Sequence, residues 1–457
     1  MTPVQRTEGG SPRLLLTAAG SGSGKTLWAA GLLRLGREAG LSPRGLKVGP
    51  DYIDPGFLEL ASGREVANLD VWLSGPANVR RLVATPPSGV GLTVIEGVMG
   101  YLDGPAEPSG RYTTAEVAEL TETPTVLIIN AAGTGRSAGA IAAGFQALDR
   151  GGHIQGVLLN QVGSERHYRL VQEAVTEATG WPVYGYLPKD PGFHLPSRHL
   201  GLVPAAEGEN LEPVLERLTQ VLRQTVDLEG LLGLARRAPV LVVPEPARRR
   251  SPGRIRLGVA RDSAFSFYYP SSLAALAAAA DLVFFSPLRD RLPSGLHGLY
   301  LGGGFPEVFA PALAGNEALR QEIRDWAPGH PVYAECGGLI YLSETLVSGE
   351  EEYPMVGLVP GPVRMGERLA GLGYREGRFL RDNPLGPAGT VLRGHEFHYS
   401  QRGVDPVTAA YELSPLGGSA KLEGYAQTHL LATYLHLDLG AQPEAVAHFL
   451  GQARQTV

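Results

Sequence analysis

Leu14-Leu15-Leu16-Thr17-Ala18-Ala19-Gly20-Ser21-Gly22-Ser23-Gly24-Lys25-Thr26 decides how this chain is read. A short apolar run predicts a buried strand. A glycine-rich turn follows, then Lys25 and Thr26, then an apolar helical pattern from Leu27 and Trp28. Strand, glycine turn, Lys-Thr and helix is the layout of a phosphate-binding loop. Glycines at 20, 22 and 24 allow backbone N–H groups to close on a phosphate. The helix start adds partial positive charge. Gly22, Gly24, Lys25 and Thr26 are therefore expected to hold a nucleotide, with the Thr26 hydroxyl on Mg²⁺. The loop is a variant, because Ala19 stands where a glycine usually precedes the Gly-Lys pair.

Outward from this loop, strand and helix patterns alternate. Gly45–Val48, Leu92–Glu96, Thr125–Asn130, Gly156–Val162 and Pro182–Leu187 read as buried strands with helices between them. Fully apolar strands separated by helices predict an α/β fold with a doubly wound parallel sheet. Ligands then bind at the carboxyl ends of the strands. Lys25, Asp51, Glu96 and Asn160 all fall there. Glu96 closes the strand Val94-Ile95-Glu96, the place of a second Mg²⁺ contact or a water-holding acid. Lys47 precedes a loop in which Asp51 and Asp54 flank Tyr52, a cation–acid cluster suited to face a γ-phosphate. Asp103, seven residues past Glu96, would alone be a turn residue.

Residues 236–253 are rich in arginine and proline and read as a solvated linker. A fresh strand at Arg254–Ala260 opens a second domain, with further strands at Asp281–Ser286, Gly298–Leu301 and Pro331–Ala334. The only cysteine, Cys336, sits between the last of these and Gly337-Gly338. A sharp turn at a helix start is expected to favour its thiolate. Gly302-Gly303-Gly304 follows another strand and could bind an oxyanion. Thr433–His436 reads as an apolar strand ending in His436, with Asp438 two residues on. Cysteine, histidine and an acid form a recurrent acyl-transfer set.

At 457 residues, with 43% hydrophobic and 19% charged residues, two or three soluble domains are expected. A net charge of −6 argues against nucleic acid as partner. No apolar stretch is long and clean enough for a membrane span. Met1–Pro12 is polar, reads as a disordered tail and lacks a signal core, so a cytoplasmic location is expected. One cysteine excludes an internal disulfide.

Nearly the whole chain resembles the cobyrinic acid (or hydrogenobyrinic acid) a,c-diamide synthases. The motifs are Ser23-Gly24-Lys25-Thr26, Lys47 to Pro55, Asn68-Leu69-Asp70, Glu96-Gly97-Val98-Met99-Gly100 and Asp103-Gly104 in the first half. In the second half they are Gly302 to Glu307, Glu335-Cys336-Gly337-Gly338 and Gly394-His395-Glu396-Phe397-His398-Tyr399-Ser400. The resemblance implies an ATP-binding amide-ligase domain over 13–235, similar to dethiobiotin synthetase. Over 254–457 it implies a class I glutamine amidotransferase domain of flavodoxin-like fold. It implies that two corrin carboxylates, a and c, become amides at the expense of ATP and L-glutamine. By the same resemblance, Cys336 is the nucleophile and His436 its base, and Thr26, Asp51 and Glu96 meet the metal. Tyr52, Asp54 and Asp103 lie near the corrin carboxylate, and Asn160 reads adenine. Ala334 departs from the glycine usual two before the nucleophile, and His-Leu-Asp replaces His-Pro-Glu. Tyr101 also places a large aromatic beside the substrate loop. Another tetrapyrrole substrate, as in cobyric acid synthase or the amidase of nickel-sirohydrochlorin, is the alternative within enzymes. A nucleotide-operated switch with an inactive amidotransferase partner is the alternative outside them. Relatives of the first domain often pair, which points toward a homodimer.

Overall fold

The computed structural model describes residues 10–105, 110–193, 211–244, 255–416 and 418–456. The chain divides after Pro246 into two compact units. In the first unit, β1 (Arg13–Ala18), β2 (Pro43–Val48), β3 (Ala67–Leu69), β4 (Leu92–Glu96), β5 (Thr125–Asn130), β6 (Ile154–Val162) and β7 (Val183–Pro188) form one sheet. Their order is β3-β2-β4-β1-β5-β6-β7, and every pairing is parallel. Strand alternation shows why the sheet is covered on both faces. Leu14, Leu16, Val94, Val126 and Ile128 enter one core, whereas Leu15, Ile95, Leu127 and Ile129 enter the other. Each fully buried side chain of this size contributes about 1.5–3 kcal/mol.

Helix α1 (Lys25–Glu38) leaves the phosphate loop and buries Trp28, Leu32 and Leu33. It packs so closely on the helix Glu212–Thr225 that a side chain at Gly31 would meet Leu218 and Leu222. The strand at 67–69 was not expected from the sequence; three residues carry too little pattern. The tail and linker readings need correction at their described ends. Pro12 accepts from the Thr93 N–H (2.8 Å), and Gly10 lies against Ala238 and Pro239. Ala238 and Leu241 are buried, and the Arg13 guanidinium donates to the Pro239 carbonyl (2.8 Å). Residues 236–244 therefore finish the first unit. The remainder of both stretches, including Arg248-Arg249-Arg250, lies outside the described residues.

The second unit has its own sheet. β8 (Ile255–Ala260), β9 (Ala280–Phe285), β10 (Gly298–Leu301), β11 (Val332–Glu335) and β13 (Leu430–Thr433) are parallel, and β12 (Tyr425–Gln427) runs antiparallel on the edge. The order is β12-β13-β11-β10-β8-β9. A mixed four-stranded sheet, in which Ser343–Ser348 pairs parallel with Val359–Arg364, and an antiparallel five-stranded sheet are built from residues 343–437. Neither was expected. They also alter the placement of His436. The expected strand stops at Thr433, and His436-Leu437 pairs instead with Gly394-His395 in the five-stranded sheet. No helix among the described residues is long and apolar enough to cross a membrane.

Candidate active site

In the first unit, the turn from Ala19 to Gly24 is partly open to solvent while Lys25 is buried. The Lys25 ammonium donates to the carbonyls of Gly20 (2.9 Å) and Met99 (2.5 Å). Gly24 holds φ +93°, and a Cβ there would collide with the Asn160 side chain. The Asn160 amide donates to the Ser23 carbonyl (2.9 Å). Asn160 thus braces the phosphate loop, because the end of β6 stands directly against the turn. Met99 holds φ +47°, a strained value for a non-glycine residue. A Cβ at Gly100 would lie 2.7 Å from the Ala19 carbonyl, so the loop after β4 closes on the phosphate loop. Asp103 is exposed and accepts from the Gly100 N–H (3.0 Å).

The Thr26 hydroxyl donates to Glu96 Oε1 (2.7 Å). Lys47 Nζ lies 2.8 Å from that same oxygen and 2.7 Å from Asp54 Oδ2. Burial alone would lower the Lys47 pKa, but Glu96, Asp54 and Asp51 outweigh it and raise it, so the ammonium stays charged. Burial pushes the Glu96 carboxyl up, against the pull of Lys47 and Thr26. Lys47 was expected to reach the phosphate. Its Nζ is instead taken by Glu96, Asp54 and, at 3.4 Å, the Gly97 carbonyl. It is the cation that permits two buried carboxylates to sit together. Asp54 correspondingly faces Lys47 and is itself buried. Asp51 Oδ1 accepts from the N–H groups of Ile53 (2.8 Å) and Asp54 (3.1 Å) and shapes the loop; Tyr52 beside it is half-buried. Glu96 Oε2 is buried with no hydrogen-bond partner among the described residues. Mg²⁺ prefers hard oxygens and takes only one or two from protein when phosphate and water supply the rest. Thr26 Oγ1 and the unsatisfied Glu96 oxygen fit that demand.

Lys47→Met should therefore cost about 3–5 kcal/mol, because it strands two carboxylates away from water. Uncompensated buried acids have raised pKa values, so the loss should grow as pH rises and they ionise. Denaturant midpoints at two pH values check both statements.

In the second unit, Cys336 joins β11 to a six-residue helix, Gly337–Leu342, with φ +45° and ψ −95°. Its N–H donates to the Thr433 carbonyl (2.7 Å). Gly338 packs on Leu301, and its N–H donates to the Gly302 carbonyl (3.0 Å). Gly304 holds φ +156° against the Ala264 carbonyl, where no side chain fits. A Cβ at Gly303 would stand 2.6 Å from His436 Cε1, and one at Gly337 would stand 3.0 Å from the Gly304 nitrogen. The glycine turn, the cysteine turn and His436 therefore converge. One member of the expected oxyanion set is removed. The Gly302 N–H donates to the Tyr268 hydroxyl (2.8 Å), and this leaves Gly303 and Gly304 as candidates.

The protonation states also differ from expectation. Burial, then Glu307 and Glu335, push the Cys336 thiol up, and the Gly337 N–H opposes them without prevailing. Burial, then His395 and His398, hold the His436 pKa well below its usual value. Both shifts favour a neutral thiol beside a neutral imidazole. A helix of six residues cannot outweigh the loss of solvent. Asp438 Oδ1 accepts from the Ser271 hydroxyl (2.5 Å) and the Gly440 N–H (3.0 Å). Glu335 is wholly buried, and its Oε2 lies 3.8 Å from His436 Nδ1. His395 stacks on His436 with ring centroids 5.0 Å apart, and His398 stacks on Tyr434 at 3.8 Å.

The comparisons match this division. Residues 14–203 fit the CobQ/CobB/MinD/ParA nucleotide binding domain, and residues 256–443 fit the CobB/CobQ-like glutamine amidotransferase domain. The chain is 39% identical over 453 residues to cobyrinate a,c-diamide synthase of Syntrophotalea carbinolica, covering 97% of this chain and 99% of that one. It is also 39% identical to the Priestia megaterium cobyrinate a,c-diamide synthase, covering 97% of each chain. It is 40% identical to the hydrogenobyrinate a,c-diamide synthase of Streptomyces coelicolor, covering 97% and 98%. This chain belongs to the cobyrinate a,c-diamide synthase family.

Several parts of this family member's site were not found in the sequence. Strand alternation places Glu335 on the same face as Tyr333, a signal that the motif around Cys336 masks. Tyr268, whose hydroxyl ties Gly302 to Ala260, carried no local signal. Glu307, pushed up to about 7 by burial, carries no local signal of that burial either.

Proposed function

We propose that this chain converts the a and c side-chain carboxylates of cobyrinic acid or hydrogenobyrinic acid to amides, using ATP and L-glutamine. The single observation that carries the reading is near-full-length identity of about two residues in five to enzymes of that name, spanning both sites. In the first unit, the backbone of Gly22 to Gly24 and Lys25 would hold the ATP phosphates. Thr26 and Glu96 would hold Mg²⁺, which when bound spreads the charge of the transferring phosphate. Lys47 keeps Glu96 and Asp54 fixed, and exposed Asp103 stands at the loop where the carboxylate would approach. A carboxylate is a poor acyl donor; as an acyl phosphate it has a good leaving group.

In the second unit, Cys336 would attack the glutamine amide as His436 takes its proton. His436 would return that proton to the departing ammonia, with the oxyanion held by the N–H groups of Gly303 and Gly304. The cytoplasm, where ATP and glutamine are at hand, is the compartment that suits this reaction, and a homodimer is the assembly we favour.

Heavy oxygen in the corrin carboxylates tests the acyl phosphate. It should appear in the released inorganic phosphate. Amide formed with the lost label in AMP or in water, and none in the phosphate, would rule that intermediate out.

A further inference from the structure

We propose that Glu335 is the positioning carboxylate of the glutamine-hydrolysing site, supporting the charge that His436 acquires when it takes the Cys336 proton. The inference rests on the amidotransferase reading above and goes beyond it by assigning a residue next to the nucleophile. Glu335 ends β11, so it directly precedes Cys336. Its side chain points to the opposite side of the strand from Ala334, into a wholly buried cluster with Tyr333 and Tyr300. A carboxylate so placed needs donors for its oxygens. Oε1 accepts from the Tyr333 hydroxyl and from the Leu437 N–H (3.1 Å), and Oε2 accepts from the Tyr300 hydroxyl (3.1 Å). The Leu437 bond ties the segment carrying His436 to the strand carrying Cys336. Oε2 then lies 3.8 Å from His436 Nδ1. Burial pushes Glu335 up to about 7, against these three donors and with a contribution from nearby Asp438.

The chemistry asks for such a group. Burial disfavours charge on both Cys336 and His436, and Cys336 attack moves a proton from Sγ to the imidazole. The S–C bond to the glutamine carbonyl forms as the S–H bond breaks. The imidazolium then gives its proton to the amide nitrogen as the C–N bond breaks and ammonia leaves; water later hydrolyses the thioester. Between those transfers a cation exists in a dry site. A fixed carboxylate at ion-pair distance stabilises that cation and makes no contact with glutamine itself. Its effect therefore belongs in kcat. Asp438, the residue the sequence order suggests for this task, also has Ser271 and Gly440 to hold.

Glu335→Gln separates charge from architecture, because the amide oxygen can still accept from Leu437. The variant should lose about 100-fold in kcat for glutamine hydrolysis, less than when a directly bonded triad carboxylate is removed. KM for glutamine and ammonia-dependent amidation should stay within about twofold of the parent. Asp438→Asn, measured in parallel, should lose less. Retention of glutamine kcat in Glu335→Gln would overturn the assignment, as would equal loss with ammonia or a larger loss in Asp438→Asn. A parent chain that hydrolyses no glutamine would overturn the amidotransferase reading itself, and this assignment with it.

Discussion

Cys336→Ala should lose glutamine-dependent amidation by more than about 10³-fold and keep ammonia-dependent amidation within about twofold. The asymmetry follows from where the thiol sits. Cys336 is nine-tenths buried in the second unit, its N–H is fixed by Thr433, and its turn is shaped by glycines that tolerate no side chain. Replacing the thiol with a methyl removes the nucleophile and leaves the backbone turn as it was. The phosphate loop and the Lys47 cluster belong to the other unit and keep their own contacts. Ammonia supplied in solution should therefore serve in place of ammonia released from glutamine. Rates with each nitrogen donor check this, and equal loss with both would contradict it.

Glu96→Gln should reduce ATP turnover in the presence of the corrin by about 10²–10³-fold, with ammonia-dependent amidation falling in parallel. Glu96 is fully buried, shares one oxygen between Thr26 and Lys47, and has the other unsatisfied. The amide presents one neutral acceptor where the metal would meet a charge. Lys47 keeps Asp54 as a partner, so the fold should survive. Phosphate release with corrin and ammonia present is the measurement. Unchanged turnover would remove Glu96 from the metal site.

The parallel sheets were legible because their signals are local. Leu14–Thr17 and Leu92–Glu96 are apolar on both faces, and Gly24-Lys25-Thr26 follows its strand directly. Cys336 and the Gly302–Gly304 turn were legible as well, since each directly follows its strand, whereas the strand expected to end in His436 stops at Thr433. What depends on partners distant in sequence was not. No local pattern shows that two acids, Glu96 and Asp54, enclose Lys47. Nothing in the sequence places Ser23 beneath the Asn160 amide. The helix start pointed toward a thiolate, because burial of the thiol in the core and the charges of Glu307 and Glu335 beside it are properties of the fold. The sheets across residues 343–437 went unread because their strands are short and interrupted by glycine and charge.

The central claim is that one half of the chain makes a carboxyl group electrophilic and the other supplies nitrogen to it. Its most direct test is mass spectrometry of the corrin formed from cobyrinic acid, ATP, Mg²⁺ and glutamine labelled at the amide nitrogen. The account predicts a diamide in which both new nitrogens carry the label. A corrin returned without amides, or amides without label, would contradict it.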